Sequence, residues 1–158
     1  MSESHEYYMN VAFKEAIKSV RNNLGGPFGA VVVMDGKIIG KGGNRVLMQN
    51  DPTAHAEITA IRKACKNISN FDLSGAILYA TCEPCPMCFS AIYWANIKTI
   101  YFTSTRLDAG SIGFRDNHLY EEMNLPLHER EITFRQLNHA KASALFKEWM
   151  VKQDKTPY

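Results

Sequence analysis

Two short stretches constrain this chain more than anything else in it: Ala54-His55-Ala56-Glu57 and Glu83-Pro84-Cys85-Pro86-Met87-Cys88. Together they offer one imidazole, two thiols and a spare carboxylate. Three donors of this kind make a zinc site with an open fourth position, whereas a structural zinc is closed by four protein ligands. No fourth Cys or His stands at suitable spacing, so the fold must carry His55, Cys85 and Cys88 to one point. Zinc lowers the pKa of a coordinated water from ~15.7 to ~7, which supplies hydroxide at neutral pH. Glu57, two residues beyond the His, is placed to accept a proton from that water and deliver it to a leaving group. The expectation is metal-assisted hydrolysis.

Each half of this pattern is weak alone. A lone His-x-Glu is common at exposed helix starts, and a lone Cys-x-x-Cys is shared by metal sites, redox pairs and packed cores. Joined, with prolines at 84 and 86, they form the His-x-Glu…Pro-Cys-x-x-Cys signature of zinc-dependent deaminases. Here the chain resembles the cytidine deaminase-like superfamily. Cys82 and Cys85 share the Cys-x-x-Cys spacing too, but Cys82 falls at a strand end before Pro84 and reads as a packing residue or a neighbour of the metal. Cys65 fits an apolar helical stripe and reads as a small core residue. His5, His118, His128 and His139 lack ligand spacing relative to the cysteines.

The 158 residues read as a single domain, 1–158, long enough to bury roughly 70% of the unfolded surface. A formal net charge of +2 lacks the strong basic excess of a nucleic-acid binder. No apolar run approaches the ~20 residues that span a bilayer. The polar, acidic start, Met1-Ser2-Glu3-Ser4-His5-Glu6, is unlike a signal peptide. A cytoplasmic location is the expectation, with the four cysteines as ligands or free thiols.

Apolar residues recur at helical spacing over residues 6–23, through Met9, Phe13, Ala16, Ile17 and Val20, and Gly25-Gly26-Pro27 ends that helix. Residues 29–34 read as a buried strand, and Asp35-Gly36 as a two-residue turn into an antiparallel strand at 37–40. A polar loop over 42–53 leads to a helix at 54–67, capped by Asp51 or Thr53, with His55 and Glu57 in its first turn. There the helix dipole favours the carboxylate by ~0.3–1 kcal/mol. A strand at 76–81 runs into the cysteine motif, a helix starts at Pro86, and a strand follows at 97–102. Residues 103–117 read as a loop, 129–134 as an edge strand or extended arm, and 140–152 as an amphipathic helix. The alternation predicts an α/β/α three-layer sandwich on a central mixed five-stranded sheet, with right-handed crossovers.

The resemblance narrows along the chain. Gly26-Pro27-Phe28-Gly29-Ala30, Asn44, Asp51-Pro52-Thr53-Ala54-His55-Ala56-Glu57, the segment from Cys82 to Cys88 and Ala91-Ile92-Tyr93-Trp94-Ala95 are similar to motifs of the bacterial guanine deaminases. The likeness runs on through Asp108 and Gly113-Phe114-x-Asp116 to Pro157-Tyr158. It implies hydrolysis of guanine to xanthine and ammonia with Zn2+ held by His55, Cys85 and Cys88, and Glu57 as proton shuttle. Asp116 would assist proton transfer, Asn44 would hydrogen-bond the base, and Phe28, Ala54 and Trp94 would form its pocket. It further implies a homodimer in which the segment from about 120 to 158 is exchanged between subunits, bringing Tyr158 to the substrate. The Asp-Pro-Thr-Ala-His-Ala-Glu and cysteine motifs are shared with tRNA adenosine deaminases, which stand as an alternative. Arg115 occupies a position where the family usually has Asp, which leaves a nucleoside, another purine or an amino-triazine open as substrate. A non-enzymatic zinc-stabilised module is the third reading, and an intact Glu57 beside an open coordination position speaks against it.

Overall fold

The computed structural model describes residues 4–158; the first three residues of the polar start lie outside the described residues. Helix α1 (His5–Arg21) opens at Ser4, whose side chain accepts a hydrogen bond from the Tyr7 amide. Strands β1 (Gly29–Met34) and β2 (Lys37–Gly43) follow, then a short α2 (Val46–Gln49) and α3 (Ala56–Ile68). Strand β3 (Ile77–Cys82), α4 (Pro86–Trp94) and β4 (Thr99–Ser104) complete the centre. Beyond them lie α5 (Arg106–Ser111), α6 (Asp116–Asn124), a 3-10 turn (Leu127–Glu129) and α7 (Ala140–Val151). The chain divides into two compact units, Met1–Tyr120 and Glu121–Tyr158.

The sheet order is β2-β1-β3-β4, with β1 antiparallel to both its neighbours and β3 parallel to β4. Strand β1 is buried on both faces, which explains its unbroken apolar run. Ala30 and Val32 face Ala56, Ala60 and Ala64 of α3 together with Leu78 and Ile92. Val31 and Val33 point the other way, onto Tyr8 and Ala12 of α1 and onto Tyr79. The period of two thus sorts one strand's side chains between two helical layers. Close approach of α1 depends on Gly29, where a Cβ would stand 1.9 Å from the Ala12 carbonyl oxygen. At Asp35 and Gly36 φ is +49° and +74°, the left-handed pair a tight hairpin demands. No helix among the described residues is long and apolar enough to cross a membrane.

The three-layer α/β/α architecture on a mixed sheet is as expected, but the sheet has four strands, not five, among the described residues. The stretch 129–134 does not join it. It is tied instead to the residues before it: the Arg130 side chain donates to the carbonyls of Leu125 and Met123, and the Glu131 amide donates to the Glu122 carboxylate. Such side-chain bonds compete with a ladder and here win. Residues 103–117 are not all loop either. Thr105 and Asp108 form a capping box that starts α5, each side chain accepting the other's backbone N–H.

Candidate active site

Two helices begin at one point. His55 is the N-cap of α3 and Cys85 the N-cap of α4, both with extended backbone (ψ 161° and 167°). Neither side chain makes the capping hydrogen bond that Ser, Thr, Asp or Asn would make there. Instead the side chains turn toward each other, and Cys88, three residues into α4, joins them. His55 Nδ1 lies 3.6 Å from Cys85 Sγ and 3.6 Å from Cys88 Sγ. Zinc–sulfur bonds of about 2.3 Å and zinc–nitrogen bonds of about 2.0–2.1 Å at a tetrahedral angle hold S and N about 3.6 Å apart. The donor set therefore fits zinc in type and in spacing, and it identifies Nδ1 as the coordinating nitrogen. These three residues are the group able to hold a metal ion among the described residues. Cys82 stands apart from it, with its thiol 3.5 Å from the Thr105 carbonyl oxygen. The cap of α3 is thus His55 itself, not the expected Asp51 or Thr53 before it. Asp51 instead accepts from the Thr53 amide and hydroxyl at 2.8 and 2.7 Å and shapes the turn that leads into His55.

Charge is concentrated here. Glu57, in the first turn of α3, is 6% exposed, and burial pushes its carboxyl up to about 7, close to the pH at which a proton shuttle works best. Without a cation, the hydrogen bond from Cys88 holds the Cys85 thiol down to about 4, with His55 lowering it further. Cys88 itself is raised by that bond and by burial. His55 is raised chiefly by its bond to Cys85. Burial also lifts Asp116, with the negative Cys85 adding to it. Cys82 is pushed up to about 12, first by burial and then by Asp116, Glu57 and Glu83, so it stays a neutral thiol. Anionic sulfur and carboxylate gathered in a buried place are the surroundings a divalent cation neutralises.

A narrow cleft of about 30 Å3 lies before the donors, lined by Glu57, Asp116, Asn44 and Phe28 together with His55 and Cys85. It has room for about two water molecules. An outer cavity of about 410 Å3 shares Asn44, His55 and Phe114 with it and adds Val46, Leu47 and Pro52. The Phe28 and Phe114 rings meet edge to face at 4.7 Å where the two join. Gly26 makes room for them, since a Cβ there would come within 2.8 Å of Phe114 and 3.0 Å of Phe28. Asn44 is held from three sides. Its amide donates to the Phe28 carbonyl at 3.0 Å, its Oδ1 accepts from the Val46 amide at 3.1 Å, and Gly25 leaves the space it fills.

Of the residues singled out in the sequence, Phe28, Asn44, Glu57 and Asp116 thus gather around His55, Cys85 and Cys88. Ala54 is fully buried beside them, its carbonyl accepting from the Arg45 amide at 2.9 Å. Trp94 does not line either cavity; it ends α4 and is 65% exposed. Tyr158 belongs to the second unit and is 80% exposed there. Two residues lining the inner cleft, Phe114 and Glu83, have no role in the sequence reading. Phe114 lies inside the Gly-Phe-x-Asp motif, two residues before its acid, and an apolar ring carries no chemical signal of its own. Glu83 lies between Cys82 and Pro84, and a single carboxylate there has no spacing that marks it as part of a site.

Residues 2–104 match the cytidine and deoxycytidylate deaminase zinc-binding region. Guanine deaminase of Bacillus subtilis (strain 168) is 45% identical over 155 residues, 98% of this chain and 99% of its own. The X-ray structure of the Bacillus subtilis guanine deaminase superimposes with a TM-score of 0.95, covering 99% of both chains at 45% identity. The tRNA-specific adenosine deaminase of Haemophilus influenzae is 42% identical over 134 residues, 84% of this chain and 75% of its own.

Proposed function

Since this chain belongs to the family of zinc-binding cytidine and deoxycytidylate deaminases, we propose that it hydrolyses guanine to xanthine and ammonia. The observation that carries guanine over a tRNA adenosine is the span of the likeness. The guanine deaminase is matched over 98% of this chain, far past residue 104, and the tRNA-specific enzyme over 84%. His55, Cys85 and Cys88 hold the zinc, which when bound supplies the Lewis acidity that makes water nucleophilic near neutral pH.

The protein's own groups handle protons and orientation. A purine is too large for the inner cleft alone, so its ring lies across the two cavities, with the Phe28–Phe114 pair at the seam. Asn44, whose Oδ1 is already committed to Val46, offers its side-chain N–H groups to an acceptor on the base. Carbon 2 of guanine faces Glu57. As the water oxygen bonds to that carbon, Glu57 takes the water's proton on its carboxylate and gives it to a ring nitrogen. The hydroxyl now on carbon 2 gives up its proton to Glu57 or Asp116, which passes it to the exocyclic nitrogen. As the carbonyl of xanthine forms at that carbon the C–N bond breaks and ammonia leaves, so both protons and the oxygen of the water are accounted for. Burial of Glu57 suits it to both halves of this transfer. Ala54 packs behind the site, and Trp94 and Tyr158 contribute to the closed pocket of the assembled enzyme.

That assembly is a homodimer in which the residues after 120 are exchanged. Support comes from the second unit, where α7 leaves Phe146, Trp149 and Met150 exposed to 73%, 45% and 68%. Four free cysteines suit a cytoplasmic setting. Ammonia release by the zinc-loaded protein from guanine, guanosine, adenine, cytosine and an amino-triazine tests the substrate. Guanine turned over far above the rest is expected, and guanine inert beside another amine overturns it. For the exchange, inactive Glu57→Gln chains are mixed with chains ending before Tyr158. Recovery of activity on mixing is expected; two permanently silent partners overturn it.

A further inference from the structure

The turn that carries the cysteine ligands is stitched to α5 and to α6, the helix that carries Asp116, by contacts that the mechanism leaves unused. On one side, the Glu83 amide donates to the Ser104 carbonyl at 2.8 Å, and Glu83 Oε2 accepts from the Arg106 amide at 2.9 Å. These bonds seat the turn on the start of α5. On the other side the Tyr120 hydroxyl donates to the Pro84 carbonyl at 2.7 Å, one residue before Cys85. The Arg106 guanidinium lies over the Tyr120 ring, 4.5 Å from its centroid, a contact that holds the ring plane as well as adding attraction.

Tyr120 follows Asp116 by four residues in α6, so the two side chains share one face of that helix. One of them lines the cleft and the other grips the ligand turn. Helix α6 has no buried residue to anchor it by packing, so polar ties of this kind set where its first turn stands. We infer that Tyr120 is a positioning residue: its hydroxyl on Pro84, held under Arg106, fixes the reach of Asp116 over the cleft. This rests on the reading of Asp116 as a group that moves a proton to the substrate.

The test uses zinc-loaded full-length protein as wild type, Tyr120→Phe, Asp116→Asn and the double variant. Phenylalanine keeps the ring under Arg106 and removes the single hydroxyl. The loss of one hydrogen bond predicts a kcat on guanine about three- to tenfold lower with KM changed by less than about twofold. In the Asp116→Asn background the same change adds nothing further, and zinc affinity by chelator competition stays at the wild-type value. A Tyr120→Phe kcat equal to wild type overturns the inference. So does a loss of the same size without Asp116, or one that follows weakened zinc binding. Amide exchange supplies a readout free of turnover: residues 115–120 exchange faster in Tyr120→Phe while α1 is unchanged. If wild type leaves guanine untouched, the functional reading fails on its own, and unchanged exchange at 115–120 then decides against the tie separately.

Discussion

The two units of the chain are built on different terms. Every buried residue lies before residue 110, and none of residues 121–158 is buried. In the first unit a strand such as β1 is held from both faces, so its conformation follows from burial inside the same chain. In the second, a helix with Leu145, Phe146 and Met150 exposed has the composition of a packed element without the packing. Periodicity tells what a segment wants to cover and not where the cover is found.

The sharpest blow to the first unit is chemical. Glu57→Gln is expected to lower kcat by about 10²–10⁴-fold, the usual worth of a positioned acid–base group, with zinc content and thermal unfolding preserved. Steady-state ammonia release beside metal analysis checks it, and wild-type turnover would remove Glu57 from the mechanism. Next comes packing. Leu78→Ala, at a fully buried site of β3, costs about 2–5 kcal/mol, whereas Leu145→Ala, 64% exposed, costs less than about 0.5 kcal/mol in a monomer. Urea unfolding at low and high protein concentration compares them. A large Leu145→Ala cost that grows with concentration would show a second copy covering α7.

The smallest effect is electrostatic and sets one carboxylate from each unit side by side. Asp51 is held below the ordinary carboxylate value by hydrogen bonds from Thr53, and Asp154 by its bond to Lys152. A carboxyl lowered by folding stabilises the native state above its unfolded value and loses that support as pH falls. Asp51→Asn should therefore weaken the protein near neutral pH, and by less as pH falls below the ordinary carboxylate value of 3.8. Asp154→Asn should not move the main transition at any pH in that range. Thermal melts across that range decide the matter, and a pH-independent Asp51→Asn effect would break the assignment.

Much of the first unit was legible in the sequence, and the reasons are local. Asp35-Gly36 needs left-handed backbone, the apolar run 29–34 needs two covering layers, and one His with two Cys needs a common point. The capping role of His55 was not legible, because the residues that normally cap a helix stood just before it and were used in the preceding turn. Residues 129–134 alternate like a strand, yet a strand exists only against a partner edge, and here Glu122 takes the Glu131 amide while the Arg130 side chain ties the stretch back to Leu125 and Met123. Trp94 read as a pocket wall through its motif; its place at the outer end of α4 depends on where that helix stops, which no pattern within it marks.

A helix that begins with His or Cys gives up the hydrogen bond that Ser or Asn would supply, and this chain does so twice at one spot. Serine in place of Cys85 would offer α4 a better start, worth about 0.5–2 kcal/mol, and spoil the metal site. The metal-free Cys85→Ser chain should then outlast the metal-free natural one on heating. Selection for durability alone would erase the catalyst, so the two poor helix starts record that activity has been the stronger demand on these positions.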